Sequence, residues 1–128
     1  MREILFRGKG PEGWIEGGYA EYGNAVCIAT RFVAEDGKPG ISLFEVYPST
    51  VGQYTGLKDR NGQRIFEGDI LRNEENVVYS GSYTAEVVFE DGEFQALGNV
   101  VDFDAGDFPS VWVIGNIHDN PELLEVSK

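Results

Sequence analysis

Residues 53–71, QYTGLKDRNGQRIFEGDIL, constrain this fold more tightly than any other stretch. Asp59-Arg60-Asn61-Gly62 places Asp where a type I turn wants a side-chain acceptor and Gly where the chain must turn left-handed. This favours a hairpin closed by a type I turn with a Gly bulge, although Asn61-Gly62 alone also suits a two-residue type I′ turn. Beyond the turn, Ile65 and Phe66 start a strand, Glu67-Gly68-Asp69 interrupts it, and Ile70-Leu71 resumes it. A break of that kind lets a small barrel take a strand round a corner, because Gly accepts the kink. The stretch speaks to fold and says little about activity.

Seventeen Gly, eight Phe, six Tyr and two Trp against one Met point to many short strands joined by tight turns, hence an all-β chain. A chain of 128 residues has single-domain length and can bury a core without staples. One cysteine, Cys27, excludes an intrachain disulfide and fits a reducing compartment. The N-terminal charges are not followed by a long apolar segment, and no run reaches membrane-spanning length, so a cytoplasmic protein without membrane contact is expected.

In chain order, residues 2–8 read as a strand with Ile4 and Phe6 on one face. Trp14-Ile15 opens a second strand, interrupted at Gly17-Gly18, and Gly23-Asn24 turns into a third over residues 25–32. Residues 35–40 form a loop, and residues 41–47 a strand that Pro48 ends. Ser49 is placed to cap one helical or 3₁₀ turn. Residues 73–82 are polar and turn-like, with Val77, Val78 and Tyr79 as anchors. Asp91-Gly92 suits a type I′ hairpin that sets Phe89 opposite Phe94 and Val87 opposite Ala96. Residues 97–109 form an acidic connection. Val111-Trp112-Val113-Ile114, apolar on both faces, is the candidate for a fully enclosed strand. Asn120 caps a short helical turn that begins at Pro121 and docks by Leu123 or Leu124.

The central stretch resembles the signature of the YopX-like family of bacteriophage and prophage proteins. The likeness extends upstream through VYPSTVG at residues 46–52. Downstream it takes in VVFEDGEF at 87–94 and VIGNIHDNPELLE at 113–125, and the opening REILFRG at 2–8 also fits, with Met1 as the expected native start. The resemblance implies an all-β fold with an SH3-type small barrel, a phage origin in a bacterial cytoplasm, and no established activity or catalytic residues. The expected organisation is one compact unit over 1–128. Residues 1–48 form an N-terminal β meander packed on an SH3-like barrel portion at 49–128, with one short C-terminal helical turn. Residues 13–40 carry no family pattern.

The net charge of −12 is unevenly placed. Residues 1–72 hold ten acids and nine bases, whereas residues 73–128 hold twelve acids and one base, Lys128. Such a field repels phosphate backbones and anionic membranes. A solvated surface accounts for it; the functional alternative is an acidic face of Glu90, Asp91, Glu93, Asp102, Asp104 and Asp107 directed at a basic partner.

Reactive groups are sparse. Cys27 lies in an apolar run and reads as a small buried hydrophobe, while His118 reads as a surface imidazole beside Asp119. One His and one Cys make no closed zinc site. Residues 102–107, DFDAGD, partly imitate a calcium loop, but Gly106 stands at its fifth position and Val113 where the Glu is required. Glu67 and Asp69 flank a bend, where carboxylates accepting backbone N–H bonds are commoner than acid–base pairs. Arg2, Arg7 and Lys9, or Lys58, Arg60, Arg64 and Arg72, would serve as a basic patch with Tyr19, Tyr22 or Tyr54 as stacking surfaces. No catalytic residue, cofactor or metal is therefore expected. The expected role is non-enzymatic, through protein contacts with a host or phage partner and self-association into a homo-oligomer. The alternatives are an acidic decoy for a host nucleic-acid-binding protein, or a small nucleic-acid-binding barrel, which the net charge opposes.

Overall fold

A computed structural model describes residues 4–73, 84–98, 103–104 and 110–124. The chain divides into two compact units, residues 1–54 and 55–128. The strands are β1 (Phe6–Gly10), β2 (Gly13–Tyr22), β3 (Ala25–Val33), β4 (Pro39–Glu45), β5 (Gly52–Lys58), β6 (Arg64–Phe66), β7 (Asp69–Asn73), β8 (Thr84–Glu90), β9 (Glu93–Gly98), β10 (Phe103–Asp104) and β11 (Val111–Asn116). Two 3₁₀ turns, Pro48–Thr50 and Pro121–Leu124, complete the described elements. The all-β expectation holds.

In the first unit β1 to β4 form an antiparallel meander, and the start of β5 returns to β1 through Phe6↔Gln53 and Arg7↔Gly52. The unit boundary therefore falls inside β5. Ile28 and Cys27 on β3 are buried, as are Val46 and Tyr54. Beyond β4 the chain comes back to β1: the Tyr47 amide donates to the Lys9 carbonyl at 2.8 Å. Thr50 then locks the corner, its hydroxyl donating to the Tyr47 carbonyl and accepting from the Lys9 amide. The expected Ser49 cap is not formed. Pro48 takes the first position of the turn, Tyr47 precedes it, and no side chain caps it.

Two expectations for this unit are corrected. The first strand starts at Phe6; residues 1–3 lie outside the described residues, and just before the strand the Leu5 carbonyl accepts the Tyr54 amide at 2.7 Å. Gly17 and Gly18 do not interrupt β2, which runs unbroken for ten residues. They mark the point where it changes partner, Gly17 pairing with Phe6 of β1 and Gly18 with Ala29 of β3. A Cβ on Gly17 would collide with the Ala29 carbonyl oxygen, so Gly is needed there for close approach, with no positive φ involved.

The second unit is a five-stranded antiparallel sheet in the order β10-β9-β8-β7-β11, joined to the ribbon formed by β6 and the end of β5. Its core gathers Ile65, Leu71, Ala85, Val87, Ala96 and Val111, with Leu57 and Val113 packed against them. Each fully buried Ile, Leu or Val side chain among them stabilises by roughly 1.5–3 kcal/mol. The type I turn with a Gly bulge is present: the Gly62 amide donates to the Asp59 carbonyl, the Asp59 amide to the Gln63 carbonyl, and Gly62 has φ +81°. Asn61 keeps a negative φ, which rules out type I′. The turn is also tied to β11. The Arg60 amide donates to the Val111 carbonyl, and the Val113 amide donates to Asp59 Oδ2. That closes the ribbon on the far edge of the sheet and gives the unit its small barrel-like form.

The corner after Phe66 is built as the sequence indicates. Gly68 adopts φ +88°, its amide donates to the Val87 carbonyl and its carbonyl accepts from the Ile117 amide. The Asp91-Gly92 turn has both residues at positive φ, +52° and +81°, and sets Phe89 against Phe94 and Val87 against Ala96. The enclosed-strand expectation for β11 is corrected. Only Val111 is fully buried, because β11 lies at the sheet edge and Trp112, Val113 and Ile114 keep part of their surface. At the C-terminus the Leu123 amide donates to the Asn120 carbonyl, while Asn120 Oδ1 accepts from the Asn116 amide. Thr84 reaches the Leu123 carbonyl at 3.4 Å, and Leu123 and Leu124 are half-buried. Val77, Val78 and Tyr79 lie outside the described residues.

Candidate functional site

The feature that departs most from an ordinary soluble surface is the far half of the β3–β4 hairpin. β2 leaves β3 at Gly18, whose register partner is Ala29. From there β3 and β4 continue without a third strand among the described residues, through Thr30↔Ser42, Arg31↔Ile41, Phe32↔Gly40 and Val33↔Pro39. The turn beyond repeats the geometry of the central hairpin: Ala34 and Lys38 close it, Gly37 donates back to Ala34, and Gly37 has φ +84°. Asp36 Oδ1 accepts the Lys38 amide and stiffens the tip. A two-stranded ribbon is marginal by itself in water. This one nevertheless exposes Phe32 (47%), Val33 (74%) and Ile41 (66%), and at its base, where β2 flanks β3, β4 also exposes Leu43 (45%) and Phe44 (44%).

Alternation puts Val33, Ile41 and Leu43 on one face and Phe32 and Phe44 on the other, so neither face is polar. At its base, β4 borders a groove of about 580 Å³ whose apolar lining includes Ile15, Leu43, Phe44, Val46 and Tyr47. Contiguous exposed apolar surface of this extent is a mark of contact surfaces. Sequence reasoning did not single out these five residues. An arm apolar on both faces has the same alternation-free pattern as an enclosed strand, so the pattern alone cannot separate them.

The acidic residues named from the sequence are only partly placed. Glu90, Asp91 and Glu93 share the exposed β8–β9 turn, with Glu90 paired to Glu93 in register. Gln95 Nε2 donates to Glu93 Oε1 at 2.9 Å. The backbone of Asp104 lies opposite Gln95. Asp102, Asp107 and the rest of the calcium-like loop fall outside the described residues, apart from the Phe103–Asp104 backbone. One member of this sheet, Glu86, is half-buried on β8, and desolvation pushes its carboxyl above the ordinary value.

The two basic sets fare differently. Arg7 lies over the Trp14 ring at 4.7 Å, and Arg2 is outside the described residues. In the second unit Lys58, Arg60 and Arg64 ride on the central hairpin and are exposed. Arg60 lies 5.7 Å from the Trp112 ring centroid, and the exposed Arg72 is the register partner of Trp112. Trp112 was not among the expected stacking groups. Tyr54 was, and is corrected: it is buried and offers no surface. Tyr19 is exposed, tilts against Phe6 at 5.7 Å and donates its hydroxyl to Glu21, which raises the Tyr19 pKa.

Cys27 is buried in β3 of the first unit, whereas His118 belongs to the second, beside Gly68. Asp69 is buried at the corner and its Oδ2 accepts the Phe66 amide at 2.8 Å, the structural role of a carboxylate at a bend; Glu67 keeps part of its surface. Among the described residues no three His, Cys, Asp or Glu side chains gather as a metal ion would require, and no helix is long and apolar enough to cross a membrane.

The fold has a counterpart among solved structures. The crystal structure of protein EF1440 from Enterococcus faecalis matches with a TM-score of 0.61 and 26% identity, over 98% of this chain and 100% of that one. No curated protein matches the sequence. The family model described as YopX protein matches residues 20–125, which extends the likeness over residues 20–40, part of the segment where the sequence carries no recognisable family pattern. With that match spanning most of both units, the chain belongs to the YopX family.

Proposed function

We propose that this protein is a non-enzymatic phage or prophage accessory protein of the bacterial cytoplasm, working through protein–protein contacts that include self-association. The observation that carries this reading is the β3–β4 arm. Large side chains stand uncovered on both of its faces, from Phe32 and Val33 to Ile41, Leu43 and Phe44. Leaving them in water forgoes burial worth roughly 25 cal/mol per Å², and a docking partner recovers it. Light scattering on the purified protein and affinity capture from infected host cells test the reading together. A strict monomer that recovers no partner would sink it.

A second reading, a nucleic-acid-binding barrel, draws support from Arg60 and Arg72 beside Trp112, with Lys58 and Arg64 on the same hairpin. A cationic pair beside a half-buried aromatic ring suits a single strand, which stacks bases and neutralises phosphates. It predicts a salt-dependent mobility shift with single-stranded DNA or RNA that Trp112→Ala abolishes. The third, an acidic decoy, rests on Glu90, Asp91 and Glu93 at one turn.

A further inference from the structure

We propose that β4 is a self-pairing edge: two copies join antiparallel along it, with Ser42 on the two-fold axis and Ile41 of one copy opposite Leu43 of the other. This rests on the self-association reading above and names its surface.

Hydrogen-bond parity identifies the edge. The Val46 amide donates to Val26 on β3, so along β4 the even-numbered residues face β3 and the odd-numbered ones face away. Tyr47, next in the odd series, donates outward to Lys9, which confirms the direction and covers that end of the edge. At Ile41 and Leu43 no strand lies alongside among the described residues, since β4 ends the sheet order. Soluble proteins commonly guard such an edge with Lys, a mid-strand Pro or a bulge. β4 reads Pro39-Gly40-Ile41-Ser42-Leu43-Phe44-Glu45, with its Pro and its one charge at the two ends.

The sequence then selects the register. With outward groups at 41 and 43, a two-fold axis falls at Ile41, Ser42 or Leu43. Centring on Ile41 would set Leu43 against Pro39, which has no amide to donate. Centring on Leu43 would set Ile41 against Glu45. Centring on Ser42 sets Ile41 against Leu43 and Phe44 against Gly40. Phe32 already lies over Gly40, where a Cβ would collide with its ring, so Phe44 of the second copy arrives beside that ring. On the opposite face Ile41, Leu43 and Val33 of both copies form an apolar strip flanked by Arg31, the register partner of Ile41. Antiparallel pairing also brings the basic residues near the tip, Arg31 and Lys38, alongside Glu45 of the second copy. The five exposed side chains offer roughly 400–500 Å² per copy, about 1,000 Å² in the pair, the lower bound for a specific interface. The dimer is therefore expected to dissociate on dilution.

The test uses the full-length protein. Ser42→Cys should give a covalent dimer under mild oxidation, because residues at a non-hydrogen-bonded antiparallel position bring their Cβ atoms within disulfide reach. Ile41→Lys should shift the light-scattering mass toward the monomer, raising the dissociation constant at least tenfold. Leu43→Pro should do the same while sparing the β3–β4 ladder, since the amide it removes points outward; circular dichroism verifies that both variants are folded. A dimeric wild type unaffected by either substitution, with no Ser42→Cys crosslink, overturns the β4 edge and leaves the wider reading standing. A monomeric wild type at high concentration overturns the β4 edge and self-association together; the wider reading falls with them only if affinity capture also recovers no partner.

Discussion

The Val113 amide donates to Asp59 Oδ2 at 3.0 Å, a bond between residues 54 positions apart. The same carboxylate's Oδ1 accepts from the Asn61 and Gln63 amides, each at 2.9 Å. One buried side chain thus shapes a turn and fastens that turn to β11. Asp59→Ala should destabilise the fold by about 2–4 kcal/mol, because three backbone donors lose a charged acceptor and the Val113 amide has none in its place. Asp59→Asn should cost less, since it retains one acceptor oxygen. Urea denaturation of both variants measures this; a loss under about 1 kcal/mol for the Ala variant would show that the seam is held elsewhere.

Two glycines should respond to alanine for different reasons. At Gly68 the φ of +88° carries the cost, while the nearest atom to an added Cβ, His118 Nε2, is at an ordinary 3.6 Å. Gly68→Ala should therefore lose about 1–2 kcal/mol. Gly17 has no positive φ, but a Cβ there meets the Ala29 carbonyl and Ile28 Cγ2, so β2 and β3 must separate. Gly17→Ala should lose more than Gly68→Ala, by equilibrium unfolding. The reverse order would place the strain in the wrong strand.

Glu86 supplies a pH dependence of definite sign. Desolvation raises its folded-state pKa above the ordinary 4.5. A raised pKa favours folding while the group is protonated, and that contribution is lost as pH rises through the folded-state value. At neutral pH, Glu86 therefore opposes folding. Glu86→Gln should raise the melting temperature at pH 7, and the gain should vanish well below pH 4.5. Melting curves at the two pH values decide it; an equal gain at both would assign the effect to packing.

What was legible in the sequence followed from local chemistry. Asp59 to Gly62, the Gly68 corner and the Asp91-Gly92 turn each depend on a backbone requirement that few residues meet, and each formed as read. Apart from the Ser49 cap, which does not form, the errors lie where a partner strand decides. Gly17-Gly18 looks like an interruption unless it is known that β2 changes neighbours there. Apolar residues on both faces suggested enclosure for β11, which is an edge, and the same pattern in β3 and β4 belongs to an uncovered arm. For the same reason Trp112 escaped notice, since only the fold brings Arg60 and Arg72 to it. Local preference cannot report which edge stays uncovered.

The Phe89–Phe94 pair permits a double test of register and of aromatic contact. Their rings lie 4.9 Å apart at 65°, an edge-to-face contact across a type I′ hairpin. Phe94 is only 7% exposed and Phe89 51%, so the two deletions should be unequal. Phe94→Ala should cost about 3 kcal/mol, as a core truncation does, and Phe89→Ala about 1 kcal/mol. The double variant should fall short of their sum by roughly 0.5–1.5 kcal/mol, the coupling of an aromatic pair beyond burial. Additive losses would mean that the rings do not engage in solution. A Phe89→Ala variant without measurable cost would mean that the strand carries its side chains one position out of step, because a one-residue slip turns Phe89 from the core face to solvent.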